Sequence, residues 1–403
     1  MKTQIVFPKS ETVIAKEKAV AEAQPKAVPR LLFVDNLRIY LTILVILHHL
    51  IIIYSGSGGW IWKEGREDVI TNALGSWFTS VNHSYFMGLF LLVAAYFVPG
   101  SYDRKGATRF LKDRLIRLGI PLVVYSWIVR PLFLYWKLTR YEFLQAPFLN
   151  WYSNRYFKDH GLIGGGPLWF IEALLVFSAL YAVWRLIFRF RPNQRPEQAR
   201  FPGSISIALF AICIAVASFF VRLWFPTDSA FEPLNFQLAD FSQYIALFVI
   251  GLIAYRNNWF SALPDSTGRR WLLIALLLIL IYPPMAIFGG AVEDSMPFKG
   301  GWHWQALLAV LWQSFLCLSM CIGLVYLFRR YLDRQTSLAG FLSRNAYTAY
   351  LIHEPVITLA ALSVVGITLY PLLKFGLMAL VIVPIIFWLS NLIRWLPYTQ
   401  RVL

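Results

Sequence analysis

Arg38 stands near the start of an apolar stretch, NLRIYLTILVILHHL at 36–50, and two adjacent histidines, His48 and His49, stand near its end. Ionisable side chains are expensive in hydrocarbon, so each one there needs a partner, a water-filled cavity or a chemical role. Positions 38 and 49 are eleven apart, and eleven helical steps of about 100° return to within about 20° of the starting direction. Arg38 and His49 therefore share a helix face about 16 Å apart along the axis, and a long ligand lying on that face could touch both, while His48 points about 100° away. A neutral imidazole is a base near neutral pH, able to take a proton from a hydroxyl or to accept an acyl group itself. The structural alternatives are a snorkelling Arg38 and a His49 hydrogen-bonded to a neighbouring helix. Asp35, three residues before Arg38, is placed to orient its guanidinium or to cap the helix.

Other ionisable residues interrupt apolar runs in the same way. Glu172 in WFIEALLVF is a carboxylate that could orient His49 or bind a hydroxyl, or close a structural ion pair. His353 and Glu354 follow an apolar stretch, and Pro355 behind them is expected to disturb the backbone. His83 and His303 fall near the ends of their runs and could meet a substrate from one side of the membrane. A metal site built from His48, His49, His83 and His303 lacks supporting ligand spacing, so none is expected. Cys213, Cys317 and Cys321 all sit inside apolar runs and read as packing residues.

These side chains are carried by a chain that is 58% hydrophobic and 14% charged, far from the roughly 45–50% and 25% of a soluble domain. Mean hydropathy is +0.57, and runs long enough to cross about 30 Å of hydrocarbon recur throughout. Ten spans are predicted, at 31–54, 77–98, 115–136, 167–188, 204–225, 238–255, 271–289, 303–328, 346–368 and 372–396. They are continuously apolar and not alternating, which points to an all-α integral membrane protein and away from a β-barrel. Residues 1–29, rich in Ala, Lys, Glu and Pro, read as a disordered tail; 30–396 form the membrane domain and 397–403 a short C-terminal tail. The formal charge of +16 is concentrated in short clusters such as RKGATRFLKDRLIR at 104–117 and RRYLDRQ at 329–335. That distribution fits cytoplasmic loops and cytoplasmic termini, and no nucleic-acid surface. PTDSAFEP at 226–233 and GGAVEDSMPFKGG at 289–301 then face outside, and the aromatic 137–166 segment reads as an ordered interfacial cap.

VDNLRIYLTILVILHHL resembles the opening of the membrane acyltransferase family 3 proteins, whose first helix carries Asp-x-Leu-Arg and then a histidine after ten intervening residues. Asp35, Leu37, Arg38 and His49 match that pattern. YFMGLFLLVAAYFVP, RFLKDRLIRLGIPLVVY with Arg114 and Arg117 as an Arg-x-x-Arg pair, GPLWFIEALLVF and RNAYTAYLIHEPV resemble further family segments in the same order. One departure is Ala94-Ala95-Tyr96, where Ser-Gly-Tyr is usual, so a small or glycine contact is missing there. The resemblance extends to the branch that includes glucan succinyltransferases. It implies O-acylation (acetyl or succinyl) of a hydroxyl on a cell-envelope glycan, in a multi-pass bacterial inner-membrane enzyme with acyl-coenzyme A as donor and no permanently bound cofactor. Arg38, Arg114 and Arg117 would bind the donor's phosphates; His49, with Arg38 and Glu172, would carry catalysis; His48, His83, His353 and Glu354 would line the acceptor. The competing classes are a transporter or flippase for an envelope precursor, which also uses buried charges, and an assembly scaffold, in which those charges are dispensable.

Overall fold

The computed structural model describes residues 30–64, 68–160, 166–188, 200–229, 231 and 236–403. The predicted tail at 1–29 and parts of the 185–200 and 226–233 loops lie outside the described residues. Ten long helical stretches follow one another: α1 Leu32–Ser55, α2 Val69–Tyr96, α3 Val98–Tyr141, α4 Trp169–Phe188, α5 Ser204–Trp224, α6 Phe241–Arg256, α7 Asp265–Phe288, α8 Trp304–Tyr331, α9 Ser337–Ser363 and α10 Pro371–Trp395. Among the described residues there is no strand, and nine of these stretches are long and apolar enough to cross a membrane. The exception is α9, which holds most of the predicted 346–368 span. Its 27 residues reach far enough, but it is more polar than the rest, with Arg344, Asn345, His353 and Glu354 along it. Pro355 does not break it.

Local chemistry sets several boundaries. Asp68 caps α2, its carboxylate accepting from the Thr71 amide at 2.7 Å and the Thr71 hydroxyl at 2.6 Å. Thr336 caps α9 through the Ala339 amide at 3.1 Å, Gly56 ends α1 in the left-handed region at φ 71°, and Pro371 opens α10. α3 departs most from expectation. The predicted basic loop at 104–117 is helical apart from a break at Gly106 (φ 71°, ψ 170°), and the predicted 115–136 span is the middle of a 44-residue path. Two π-helical turns, Leu115–Gly119 and Tyr125–Val129, widen that path.

α1 is the hub, packed against α2, α8, α9 and α10, while α2 packs on α6 and α8. Of the apolar stretch in α1, 72% is buried, against 11% in α7, so the two histidines of α1 lie inside the bundle and α7 turns most of its surface to lipid. The Ala95 departure is compensated across the α2–α6 seam. A Cβ on Gly251 would lie 2.6 Å from Ala95 Cβ and 2.5 Å from the Leu92 carbonyl, so the glycine that lets the two backbones approach sits on α6.

Contacts sort the loops into two ends, as the charge alternation requires. At one end Asn36 donates to the Leu332 and Arg334 carbonyls, Arg329 to the Phe260 and Ser261 carbonyls, and Tyr347 to the Arg117 carbonyl. At the other end Lys374 pairs with Glu64 at 2.6 Å, Tyr370 with Asp68, and Thr227 with Lys299. The 137–166 cap is ordered over its described part, where Trp151 and Tyr156 are buried against Phe133 and Leu134.

Candidate active site

His49 lies about 25 Å along α1 from Leu32, at 1.5 Å per residue. Its ring stacks on Trp60 at 4.1 Å and on His353 of α9 at 5.3 Å. The His48 ring is 5.2 Å from that of His49 and 4.9 Å from Phe86 of α2. Nδ1 of both His48 and His49 is buried without a hydrogen-bond partner, so neither imidazole is tied to a neighbouring helix. His353 differs. Its Nδ1–H donates to the Tyr350 carbonyl, and because a carbonyl only accepts, a neutral ring carries its proton there and presents a lone pair at Nε2. That Nε2 is buried and unpartnered.

The next residue along α9, Glu354, opens onto α3. The Tyr125 hydroxyl donates to its Oε2, and Arg130 Nε stands 3.9 Å from the same oxygen. Glu354 Oε1, Arg130 Nε and Arg130 Nη1 are all buried without a hydrogen-bond partner. π-helical turns position both α3 groups: Tyr125 begins one and Arg130 follows it directly. A third π turn, Tyr152–Tyr156, delivers Tyr156 from the cap; its hydroxyl donates to the Ser126 carbonyl at 2.6 Å and lies within hydrogen-bonding reach of Arg130. Such turns are frequent at functional sites because the extra residue rotates the side chains that follow. Burial pushes the Tyr156 phenol up to about 12 against the opposing pull of Arg130, so it remains a hydroxyl at neutral pH. Gly166, at φ 69°, completes the enclosure: a Cβ there would lie 2.7 Å from Glu354 Oε2.

Other expected residues are more dispersed. Arg38 is exposed at the Leu32 end of α1, and Asp35 pairs with Arg30 at 2.6 Å, so it does not orient Arg38. Thr42 and Val45, on the stripe between Arg38 and His49, are 2% and 1% exposed. No open groove therefore joins the two, and a ligand reaching from one to the other must part α1 from its neighbours. Arg114 lies over the Phe110 ring at 5.2 Å, whereas Arg117 is exposed. A π turn begins at Leu115, between the two. Glu172 is buried in the first turn of α4 with Oε2 unpartnered, and no hydrogen bond joins it to His49. His83 donates through Nε2 to Asp240 at 2.8 Å. Asp240 is held in turn by Arg222 at 2.8 Å and Gln313 at 2.9 Å, a connected buried network. His303 is exposed before α8. Among the described residues no His, Cys, Asp or Glu group could hold a metal ion.

Sequence reading passed over Arg130, Tyr125 and Trp60. Arg130, in SWIVRPLF, meets the same test that singled out Glu172, a charge inside a predicted span, as do Arg222 and Asp240. Trp60 reads as an interfacial belt residue; nothing in its surroundings in the chain signals that its ring covers an imidazole.

Comparison with known proteins bears on the same residues. Residues 31–391 match the acyltransferase domain family. Glucans biosynthesis protein C of Escherichia coli K12 is 23% identical over 343 residues, 82% of this chain and 83% of that protein. The protein of the same name from Escherichia coli O157:H7 matches to the same extent. No solved structure matches.

Proposed function

The chain belongs to the membrane acyltransferase family, and from that membership we propose that it moves an acyl group, acetyl or succinyl, from acyl-coenzyme A to a hydroxyl of a cell-envelope glycan. The observation that carries this reading is the uncommitted imidazole of His49, packed against both Trp60 and His353 with its Nδ1 buried and unpartnered. A histidine retained in the bundle without a hydrogen bond has no structural reason to be polar. In the proposed reaction the hydroxyl gives its proton to His49 as its oxygen attacks the thioester carbonyl; the C–S bond breaks and the thiolate leaves with a proton. The glycan acceptor follows from the relatives' name and from the aromatic cap over the site. The donor's phosphates are assigned to Arg38, Arg114 and Arg117, all at the basic end of the bundle, and the acceptor to His48, His83, His353 and Glu354. Glu172 remains a candidate to polarise a bound group from α4. On this reading the basic end faces the cytoplasm of a cell membrane and the cap faces outward.

The test gives purified protein in lipid nanodiscs radiolabelled acyl-coenzyme A and envelope glycans. His49→Ala is expected to lower transfer about 10²–10⁴-fold, the worth of a general base, and Arg38→Ala to raise the donor KM. Transfer that persists in His49→Ala removes its role. Absence of transfer with any acceptor, alongside counterflow of a solute, favours a transporter.

A further inference from the structure

Beside the imidazoles lies a buried cation and carboxylate that do not close on each other. Arg130 is 7% exposed and Glu354 0%, yet their nearest approach is 3.9 Å, where a direct charge-assisted pair settles near 2.7–2.9 Å. Two guanidinium nitrogens and one carboxylate oxygen are left without partners. Buried polar groups left open in this way are costly, and their retention on two separate elements, α3 and α9, marks a place for a ligand.

We propose that Arg130 and Glu354, with Tyr125 and Tyr156 bracing them, form the subsite that grips a neutral, hydroxyl-bearing sugar of the acceptor at a hydroxyl other than the one that reacts. The proposal rests on the acyltransferase reading and extends it to how the acceptor is recognised. Charge decides the class of ligand: guanidinium and carboxylate cancel, so a phosphate or uronate gains little net attraction. A hydroxyl suits both, donating to Glu354 Oε1 while accepting from Arg130. Register decides which hydroxyl. His353 and Glu354 are consecutive, with Cα atoms about 3.8 Å apart, and their side chains leave α9 about 100° apart. These directions diverge, so a sugar with its reacting hydroxyl at the His49–His353 pair meets Glu354 with a hydroxyl some way from the reacting one. Tyr152, half-buried and stacked on Tyr156 in the cap at 5.8 Å, supplies an aromatic face of the kind sugar rings pack on.

The experiment uses the full chain in nanodiscs, a neutral glucose oligosaccharide, its uronic-acid analogue and a deoxy analogue lacking one hydroxyl, with labelled acyl-coenzyme A. Arg130→Gln and Glu354→Gln are expected to raise the oligosaccharide KM at least tenfold with the donor KM unchanged, and Tyr156→Phe by less. One deoxy analogue is expected to lose as much in the wild type as the intact sugar loses in Glu354→Gln, with no further loss on combining the two. Unchanged oligosaccharide KM in both charge variants, or preference for the uronate, overturns the proposal. Calorimetric binding of the oligosaccharide without donor separates the two readings: if the wild type binds but transfers nothing, the acyltransferase reading fails, while the cradle still stands or falls on whether Arg130→Gln abolishes binding. Thermal unfolding of each variant confirms that it is folded, and Tyr156→Phe, which removes one hydroxyl, serves where Arg130→Gln does not fold.

Discussion

Replacing Gly166 by alanine tests whether Glu354 must stay where the structure puts it. The new methyl would lie 2.7 and 2.8 Å from the two carboxylate oxygens, and the backbone at φ 69° is one that alanine adopts reluctantly. The left-handed conformation costs about 1–2 kcal/mol. If the carboxylate swings away it also forfeits the charge-assisted bond from Tyr125, about 1.5–3 kcal/mol. The sum, about 2.5–5 kcal/mol, is the expected loss if the segment cannot move; if it shifts, stability recovers and Glu354 is displaced instead. Either way acceptor handling suffers. The assay pairs thermal unfolding in nanodiscs with glycan transfer, using Gly376→Ala as control, because a Cβ at Gly376 meets nothing within 4 Å. Gly376→Ala, in a helix, is expected to be neutral or to stabilise by up to about 1 kcal/mol. Gly166→Ala is expected to unfold earlier or to raise the glycan KM at least tenfold. Unchanged stability together with unchanged KM refutes the claim that Gly166 is there to make room for the carboxylate.

Asp240→Ala leaves Arg222 buried without its anion and frees His83, so a loss of about 3–5 kcal/mol is expected in denaturation, with Asp240→Asn losing less. Asp68 caps α2, and its bonds from the Thr71 hydroxyl and amide, with a smaller one from Tyr370, hold its pKa below the ordinary 3.8. Because the folded value is the lower one, the stability it adds is fully present above pH 3.8 and fades as pH falls through the lowered value. Unfolding midpoints of wild type and Asp68→Asn are therefore expected to differ at neutral pH and to converge in acid.

Much of the bundle is legible in the residues because hydropathy acts over whole helices. A run of apolar side chains has one low-energy place in a bilayer, and basic loops alternate with neutral ones for the same electrostatic reason. The weak points were local. α9 departs from the apolar pattern because its polar face is turned inward against α1, and the basic 104–117 segment became helix where a loop was expected. A π turn also begins directly after Arg114, a backbone choice that spacing does not announce.

Arg38 and His49 were placed by arithmetic on a single helix, and their face and axial separation needed only a regular α1. The site around His49 needed contacts that no single segment contains. Trp60, the Tyr125–Arg130 turn and the His353-Glu354 pair come from three separate stretches of the chain, and only packing of α1, α3 and α9 under the cap brings them together. Periodicity says which way a side chain leaves its own helix; which side chain it meets depends on helix crossings and the rotation of π turns, which are properties of the assembled bundle.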